Sequence, residues 1–96
     1  MNYYQINAFA NKLYYDNMKT FKDLVFEPHT SGNGKIARME FKNRHGISVV
    51  QGHIFLGESN LYDMAEIFNN EVVTATNVME VTEEQITNKM IELQEQ

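Results

Sequence analysis

The chain contains no cysteine and only one proline among its 96 residues. Without cysteine, neither a disulfide scaffold nor a thiolate metal site can form. No apolar run approaches the roughly 18 residues that a membrane-spanning helix needs. Residues 1–5 do not place a basic region before an apolar run, so no signal peptide is predicted. These absences favour a cytoplasmic protein that does not act in a membrane.

Basic side chains are also scarce, with eight Lys and Arg against thirteen Asp and Glu, for a net charge of −5. Residues 1–48 hold seven basic and four acidic side chains, a balance of +3, whereas residues 49–96 hold one and nine, a balance of −8. The acidic half repels phosphate, so direct nucleic-acid binding is disfavoured. The asymmetry fits either a surface for a basic partner or an ordinary solvated surface.

The length and the 43% hydrophobic content predict one folded domain over residues 1–96. Apolar residues at helical spacing predict a helix over residues 5–17, within an N-terminal extension over residues 1–19. Four tyrosines in this extension serve either to pack it onto the body or to form an aromatic contact surface. The remaining residues, 20–96, form the predicted α+β body.

Residues 35–51 carry the clearest pattern in the body. Residues 35–42 alternate between apolar and charged side chains and residues 47–51 are rich in β-branched residues, which predicts a hairpin with one buried face. A two-residue loop at Asn43 and Arg44 requires a positive φ at Arg44, at roughly 1 kcal/mol, whereas a four-residue turn avoids that strain.

Other strands are predicted on both sides of this hairpin. Residues 24–26 are a short apolar run ended by Pro28, which predicts an edge strand. Residues 61–68 and 71–76 are predicted to pair, because the asparagines at 69 and 70 tolerate the left-handed conformation of a tight turn.

The last element is a predicted helix. Thr82 followed by Gln85 forms a capping box at its start. An apolar stripe at helical spacing consists of Ile86, Met90 and Leu93. The predicted fold is therefore α+β, with an antiparallel sheet of three to five strands, the C-terminal helix packed on one face, and the N-terminal helix against an edge or the second face.

Short segments spread along the body form an ordered set, namely residues 20–24, Phe26, Pro28, His29, Ala37, Arg38, Phe41, Asn43, residues 46–50, Gly52, residues 61–65 and residues 82–84. In this order they resemble a group of small, functionally uncharacterised proteins of tailed bacteriophages and prophages, over roughly residues 20–93. The resemblance implies a phage or prophage origin and hence the cytoplasm of a bacterial host. It supplies no activity and no catalytic residues.

Three features depart from the pattern of that group. Arg44 follows Asn43 where the group tends to have glycine, which leaves the turn type open. The glycine-rich loop at residues 56–60 is shorter. Glu66 stands where an apolar residue is usual, which leaves open whether the second face of that strand is buried.

No motif for catalysis, metal binding or phosphate binding is present. None of His29, His45 and His53 has a partner at the ligand spacing of a helical metal site. No serine lies in a G-x-S-x-G elbow, and residues 32–35 fall short of a P-loop. A small enzyme or ligand binder near His29, His53 and Glu58 is the weakest of three hypotheses.

The leading hypothesis is a non-enzymatic accessory protein without a cofactor that binds a host protein. An inhibitor of a host defence nuclease is one specific form, since clustered carboxylates can occupy a phosphate-binding groove. The alternative is a small homo-oligomeric structural or assembly protein, joined through sheet edges or the tyrosine-rich helix. The residues expected to contact a partner are Glu80, Glu83, Glu84, Glu92, Glu95, Arg44, Phe55 and Tyr62.

Overall fold

A computed structural model describes residues 17–30, 34–51 and 61–96. Within them, a five-stranded antiparallel sheet follows chain order, so that each strand pairs with the next one. The elements are β1 (Glu27–Pro28), β2 (Lys35–Glu40), β3 (His45–Gln51), β4 (Tyr62–Phe68), β5 (Glu71–Val81) and helix α1 (Glu83–Gln94). The predicted α+β class is confirmed. Residues 5–16 of the predicted N-terminal helix lie outside the described residues.

The first strand begins later than predicted. Residues 24–26 do not pair, so the strand predicted there is wrong. A 3-10 turn at Phe21–Asp23 precedes Leu24, which is buried in the core, and pairing with β2 begins only at Glu27. Pro28 lies in β1 at the edge of the sheet, where its missing N–H leaves no gap in a ladder.

The loop between β2 and β3 matches neither of the two predicted turns. The Phe41 amide donates to the His45 carbonyl at 2.7 Å, which leaves residues 42–44 as the loop. The Arg44 amide donates to the Phe41 carbonyl at 3.3 Å, and Arg44 has a φ of 71°. This is a three-residue hairpin loop, in which a turn is followed by one residue in the left-handed conformation.

The sheet face under α1 forms the hydrophobic core. The alternation predicted for β2 is confirmed, because Ala37 is buried while Arg38 and Glu40 are exposed. The predicted stripe of α1 is buried as well. The members of the core are Leu24, Ala37, Ile47, Val49, Tyr62, Met64, Val81, Ile86, Met90 and Leu93.

Side-chain hydrogen bonds hold both ends of α1. At its start, the Gln85 amide donates to Thr82 Oγ1 at 3.2 Å and the Thr82 amide donates to Gln85 Oε1 at 2.8 Å, which confirms the capping box. At its end, Asn43 Nδ2 of the β2–β3 loop donates to the Leu93 carbonyl at 2.8 Å. The hairpin loop therefore satisfies a helix carbonyl that has no partner within the helix.

The second face of the sheet is buried at its centre. Ala65 and Ile67 of β4 are both buried there, outside the main core. Glu66 lies on the opposite face, next to α1, with its carboxylate 3.9 Å from Lys89 Nζ. The second face of β4 is therefore buried even though the strand contains Glu66. The alternation of side chains along the strand places the Glu66 carboxylate on the face next to α1.

Candidate functional site

Strand β5 is the outer strand of the sheet and is almost entirely exposed. It is last in the strand order, and no described strand pairs with its outer edge. Of its 11 residues, only Thr76 is half-buried and only Val81 is buried. Between Glu71 and Glu80 it carries no charged side chain. The sheet therefore ends in a long strand that faces solvent and is uncharged between Glu71 and Glu80.

Large apolar side chains are concentrated along this edge. Val73 and Val78 lie on the same sheet face as α1, but 38% and 45% of each is exposed because α1 packs on β3 and the 3-10 turn. Single exposed apolar residues are ordinary, whereas several along one strand edge indicate a contact surface. Val73 and Val78 lie on the α1 face and Val72 on the second face of the sheet. We call this group the β5 patch, and its members are Phe68, Val72, Val73, Val78 and Met79.

A bulge interrupts β5 near its middle. The register with β4 slips between Val73 and Val78, so that residues 74–77 bow out of the ladder. The Glu66 amide donates to Thr76 Oγ1 at 2.8 Å, and this hydroxyl donates to the Val73 carbonyl at 2.6 Å. The Thr76 side chain thus supplies the acceptor that a regular strand would provide. Bulges of this kind shorten the stretch that a further strand can join.

The turn between β4 and β5 fixes the directions of the β5 backbone groups. Asn69 and Asn70 have φ values of 51° and 70°, which confirms the predicted tight turn as a two-residue type I′ loop. The residues that flank such a loop form a hydrogen-bonded pair, so Glu71 turns its N–H and C=O toward β4. Because the directions alternate along a regular strand, Val72 turns its N–H and C=O outward, whereas residues 74–77 lie in the bulge and do not follow that alternation.

The predicted acidic contact residues lie along α1 and at the strand end before it. They lie at the two ends of the helix, and Glu83 in the first turn is about 18 Å from Glu95 at the C-cap, at 1.5 Å per residue. Lys89 Nζ is 3.0 Å from the Glu92 carboxylate and 3.9 Å from that of Glu66, so part of this charge is neutralised. All five acidic residues are exposed, and they are Glu80, Glu83, Glu84, Glu92 and Glu95.

Tyr62, which the sequence predicted as a contact residue, lies in the core instead. It is 9% exposed, and its ring centroid is 5.1 Å from that of Phe21 and 5.8 Å from that of Phe26. Burial raises the pKa of the Tyr62 hydroxyl above 10.0, and the negative charge of Glu83 raises it further. Its side chain is therefore not part of the exposed surface.

Arg44 and Phe55 complete the predicted set. Arg44 is exposed on the β2–β3 loop, and its carbonyl accepts a hydrogen bond from the Asn69 amide at 3.1 Å. It thus lies at the end of the sheet that carries the β4–β5 turn, whereas Glu80 and Glu83 lie at the opposite end of β5. Phe55 lies outside the described residues. The structure does not bring the predicted contact residues together at one place.

The described residues offer little for catalysis. In residues 17–30, 34–51 and 61–96, no group of three His, Asp or Glu side chains could hold a metal ion. The His45 ring packs against the Phe68 ring at an interplanar angle of 50°, with the ring centroids 4.9 Å apart. His53 and Glu58 lie outside the described residues, so the site predicted near His29 stays a prediction.

An open groove of about 740 Å³ lies between the C-terminal end of α1 and the β2–β3 loop. Its lining carries charges of both signs, and no convergent set of acids, bases or nucleophiles distinguishes it. The lining residues are Asn17, Lys19, Met39, Glu40, Phe41, Lys42, Asn43 and Gln94.

The exposed edge is the feature that the sequence reasoning missed. The second strand of the last hairpin was predicted to end at residue 76, but β5 continues to Val81. The signal that could have revealed it is the uncharged run over residues 72–79, because it lacks the charges that usually prevent further pairing at an edge strand.

No family model, curated protein or solved structure matches this chain. Across the part of the chain that the structure describes, no helix is both long enough and apolar enough to cross a membrane. The function is accordingly inferred from the geometry of β5 and α1.

Proposed function

We propose that this protein is a non-enzymatic protein-binding module and that β5 is its binding edge. The observation that supports this is an 11-residue outer strand whose side chains between Glu71 and Glu80 are uncharged and almost all exposed. The unpaired N–H and C=O groups of a sheet edge are a template for a further strand. Keeping β-branched side chains in water stabilises nothing in the monomer, so a contact role accounts for them best.

The bulge at residues 74–77 limits how a partner strand can bind. It separates a first segment, residues 71–73, from residues 78–81, within which the register with β4 shifts a second time. A partner strand pairs with the outward backbone groups of the first segment, while Val73 and Val78 contact its side chains on the α1 side. Main-chain hydrogen bonds then supply affinity for any extended chain, and the side-chain contacts supply selectivity.

Selection of short yeast-displayed peptides against the protein tests this proposal. We expect the selected peptides to be rich in β-branched residues and to bind Val73→Lys about tenfold or more weakly, a loss of about 1.4 kcal/mol. Val25→Lys is the matched control, because Val25 is 75% exposed and lies outside β5. Peptides that bind Val73→Lys as tightly as the wild type but fail to bind a Glu84→Lys, Glu92→Lys variant would contradict the proposal and assign peptide binding to α1.

A second candidate function is supported by α1. Glu84 and Glu92 on this helix and Glu95 at its C-cap are all exposed, and such carboxylates can bind a basic surface. The specific form is the phage-type accessory protein of the sequence hypothesis, which binds a host protein such as a defence nuclease.

A tagged form of the protein distinguishes the two candidates in a lysate of a bacterial host. The second candidate predicts one host protein at near-equal stoichiometry that salt releases and that a Glu83→Lys, Glu84→Lys, Glu92→Lys variant no longer retains. Retention by that triple variant, together with loss on Val73→Lys, would assign the partner to β5 instead.

A further inference from the structure

We infer that the segment bound at β5 carries an arginine or lysine opposite Val73, and that this cation lies beside the carboxylates of Glu66 and Glu71. This inference deepens the proposed function and depends on β5 being the binding edge. The occupant is an extended segment of another protein in which a basic residue is next to a β-branched one.

The backbone directions of residues 71–73 place one partner residue opposite Val73. Val72 turns its N–H and C=O outward, so an antiparallel partner exchanges two hydrogen bonds with Val72 through a single opposed residue. The adjacent partner residue lies opposite Val73, and its side chain points to the α1 face as that of Val73 does. This placement requires none of residues 74–77, which lie in the bulge.

Two carboxylates lie next to Val73 on the α1 face. Glu66 is the residue of β4 directly opposite Val73. Glu71 precedes Val73 by two positions on β5, so the two side chains point to the same face of the sheet. A cation opposite Val73 therefore has one carboxylate beyond Val73 and a second one diagonal to it.

The charge of these carboxylates is only partly compensated within the protein. Lys89 is the only basic residue among residues 61–96, against eight acidic ones. Its Nζ lies 3.0 Å from the Glu92 carboxylate but 3.9 Å from that of Glu66. Within the described residues, Glu71 forms no ion pair. The surface beside Val73 is thus complementary to a positive charge.

The length of a basic side chain fits this arrangement. Neighbouring strands are about 4.8 Å apart, so the partner residue opposite Val73 is two spacings, or about 10 Å, from the Glu66 backbone. An arginine or lysine covers that distance by laying its aliphatic stem over Val73, while the Glu66 side chain extends toward its charged head. Glu71 is diagonal to the same partner residue, at roughly 7–8 Å. The stem therefore buries Val73 and the head contacts the carboxylates.

The same charges disfavour a second copy of this chain as the occupant. Each copy has a net charge of −5, and β5 contains two glutamates and no basic residue. Such a strand would bring carboxylates to the open edge, and like charges across a strand pair destabilise it. A basic segment of another protein is attracted instead, so added salt is expected to weaken its binding.

Charge reversal at the two carboxylates tests the inference. The selection of short yeast-displayed peptides is carried out against the wild type and against a Glu66→Lys, Glu71→Lys variant. We expect the wild type to enrich peptides with arginine or lysine next to a β-branched residue. The variant is expected to enrich peptides with aspartate or glutamate in place of that basic residue. Equal enrichment of basic residues against both proteins would overturn the inference.

The affinity for one enriched peptide in soluble form gives a second readout. We expect a Glu66→Gln, Glu71→Gln variant to bind it about fivefold more weakly, and replacement of its basic residue by methionine to have a similar effect. Glu27→Gln, Glu40→Gln is the matched control, because it removes the same charge from exposed positions on β1 and β2, away from β5. Equal weakening by both variants would show that net charge alone attracts the peptide and would overturn the inference.

Binding to Val73→Lys separates failure of this inference from failure of the proposed function. Peptides without an excess of basic residues, whose binding is still weakened by Val73→Lys, would overturn the inference but leave β5 as the binding edge. Peptides whose binding does not respond to Val73→Lys would overturn the proposed function as well. In sedimentation velocity, a concentration-dependent dimer that is lost in Val73→Lys would assign the edge to a second copy and overturn the inference.

Discussion

Arg44 has a φ of 71° at the β2–β3 loop, a conformation in which a side chain meets its own backbone. Arg44→Gly relieves that strain, which raises the free energy of unfolding by about 1–2 kcal/mol. Glycine also gives the unfolded chain more conformational freedom, which lowers the free energy of unfolding by about 0.5–1 kcal/mol. We expect the free energy of unfolding to rise by about 0.5–1 kcal/mol, measured by urea denaturation.

Lys42→Gly is the matched control for this prediction, because Lys42 lies in the same loop and is exposed without a positive φ. It is expected to leave stability unchanged or to lower it. An equal gain from both glycine substitutions would show that Arg44 is not strained.

Tyr62 makes a prediction about alkaline pH. Its pKa in the folded protein is raised above 10.0 by burial and then by Glu83. The unfolded chain therefore releases this proton first as pH rises, so the stabilisation is complete below about pH 10 and is lost as pH rises through the folded pKa. We expect the free energy of unfolding to fall more steeply above about pH 10 in the wild type than in Tyr62→Phe. Urea denaturation at a series of pH values measures this. The same decrease in the free energy of unfolding above about pH 10 in both proteins would contradict the prediction.

At the scale of elements, the bulge of β5 depends on one hydroxyl. Thr76→Val keeps the shape of the side chain but leaves the Glu66 amide without its acceptor. Loss of a partner by a part-buried amide costs about 1–3 kcal/mol. We expect a decrease of about 1 kcal/mol in the free energy of unfolding and faster hydrogen exchange of the Glu66 amide.

Thr74→Val is the control for the bulge, since Thr74 is exposed on the same strand. Its effect on stability is expected to stay within about 0.5 kcal/mol. If Thr76→Val changed the free energy of unfolding as little as Thr74→Val, the Thr76 hydroxyl would not stabilise the bulge.

The elements also differ in how far local sequence dictates them. The capping box at Thr82 and Gln85 and the asparagine turn at residues 69 and 70 were predicted from the sequence and are confirmed. Both are set by residues that bond or bend within a few positions of themselves. Residues 24–26 have the composition of a strand but do not form one, because the 3-10 turn before them places Leu24 in the core.

On the scale of the whole molecule, the core and the proposed binding edge lie at different places. Met90 of α1 is fully buried over the sheet, and Met90→Ala is expected to lower the free energy of unfolding by about 2–5 kcal/mol. Val73 lies on the open edge, so Val73→Lys is expected to change it by no more than about 0.5 kcal/mol. Thermal or urea denaturation of the two variants checks both values. A large loss in Val73→Lys would mean that β5 contributes to stability rather than to binding.

The candidate site was less predictable than the fold. The acidic residues of α1 could be named from charge alone, and they are exposed as a solvated helix face requires. The burial of Tyr62 could not be predicted from sequence, because it depends on contacts with Phe21 and Phe26, which are distant from Tyr62 in the sequence. The exposure of Val73 and Val78 likewise depends on where α1 comes to lie.

The sequence by itself determined the α+β class, the alternation of β2, the turn before β5 and both the start and the buried stripe of α1. These features are encoded by neighbouring residues, whose periodicity and backbone preferences act over a few positions. Only the tertiary structure decided that Asn43 caps α1 and that β5 is left as an open edge. Each of these depends on which elements meet across the sheet, a property of the whole chain that no local pattern contains.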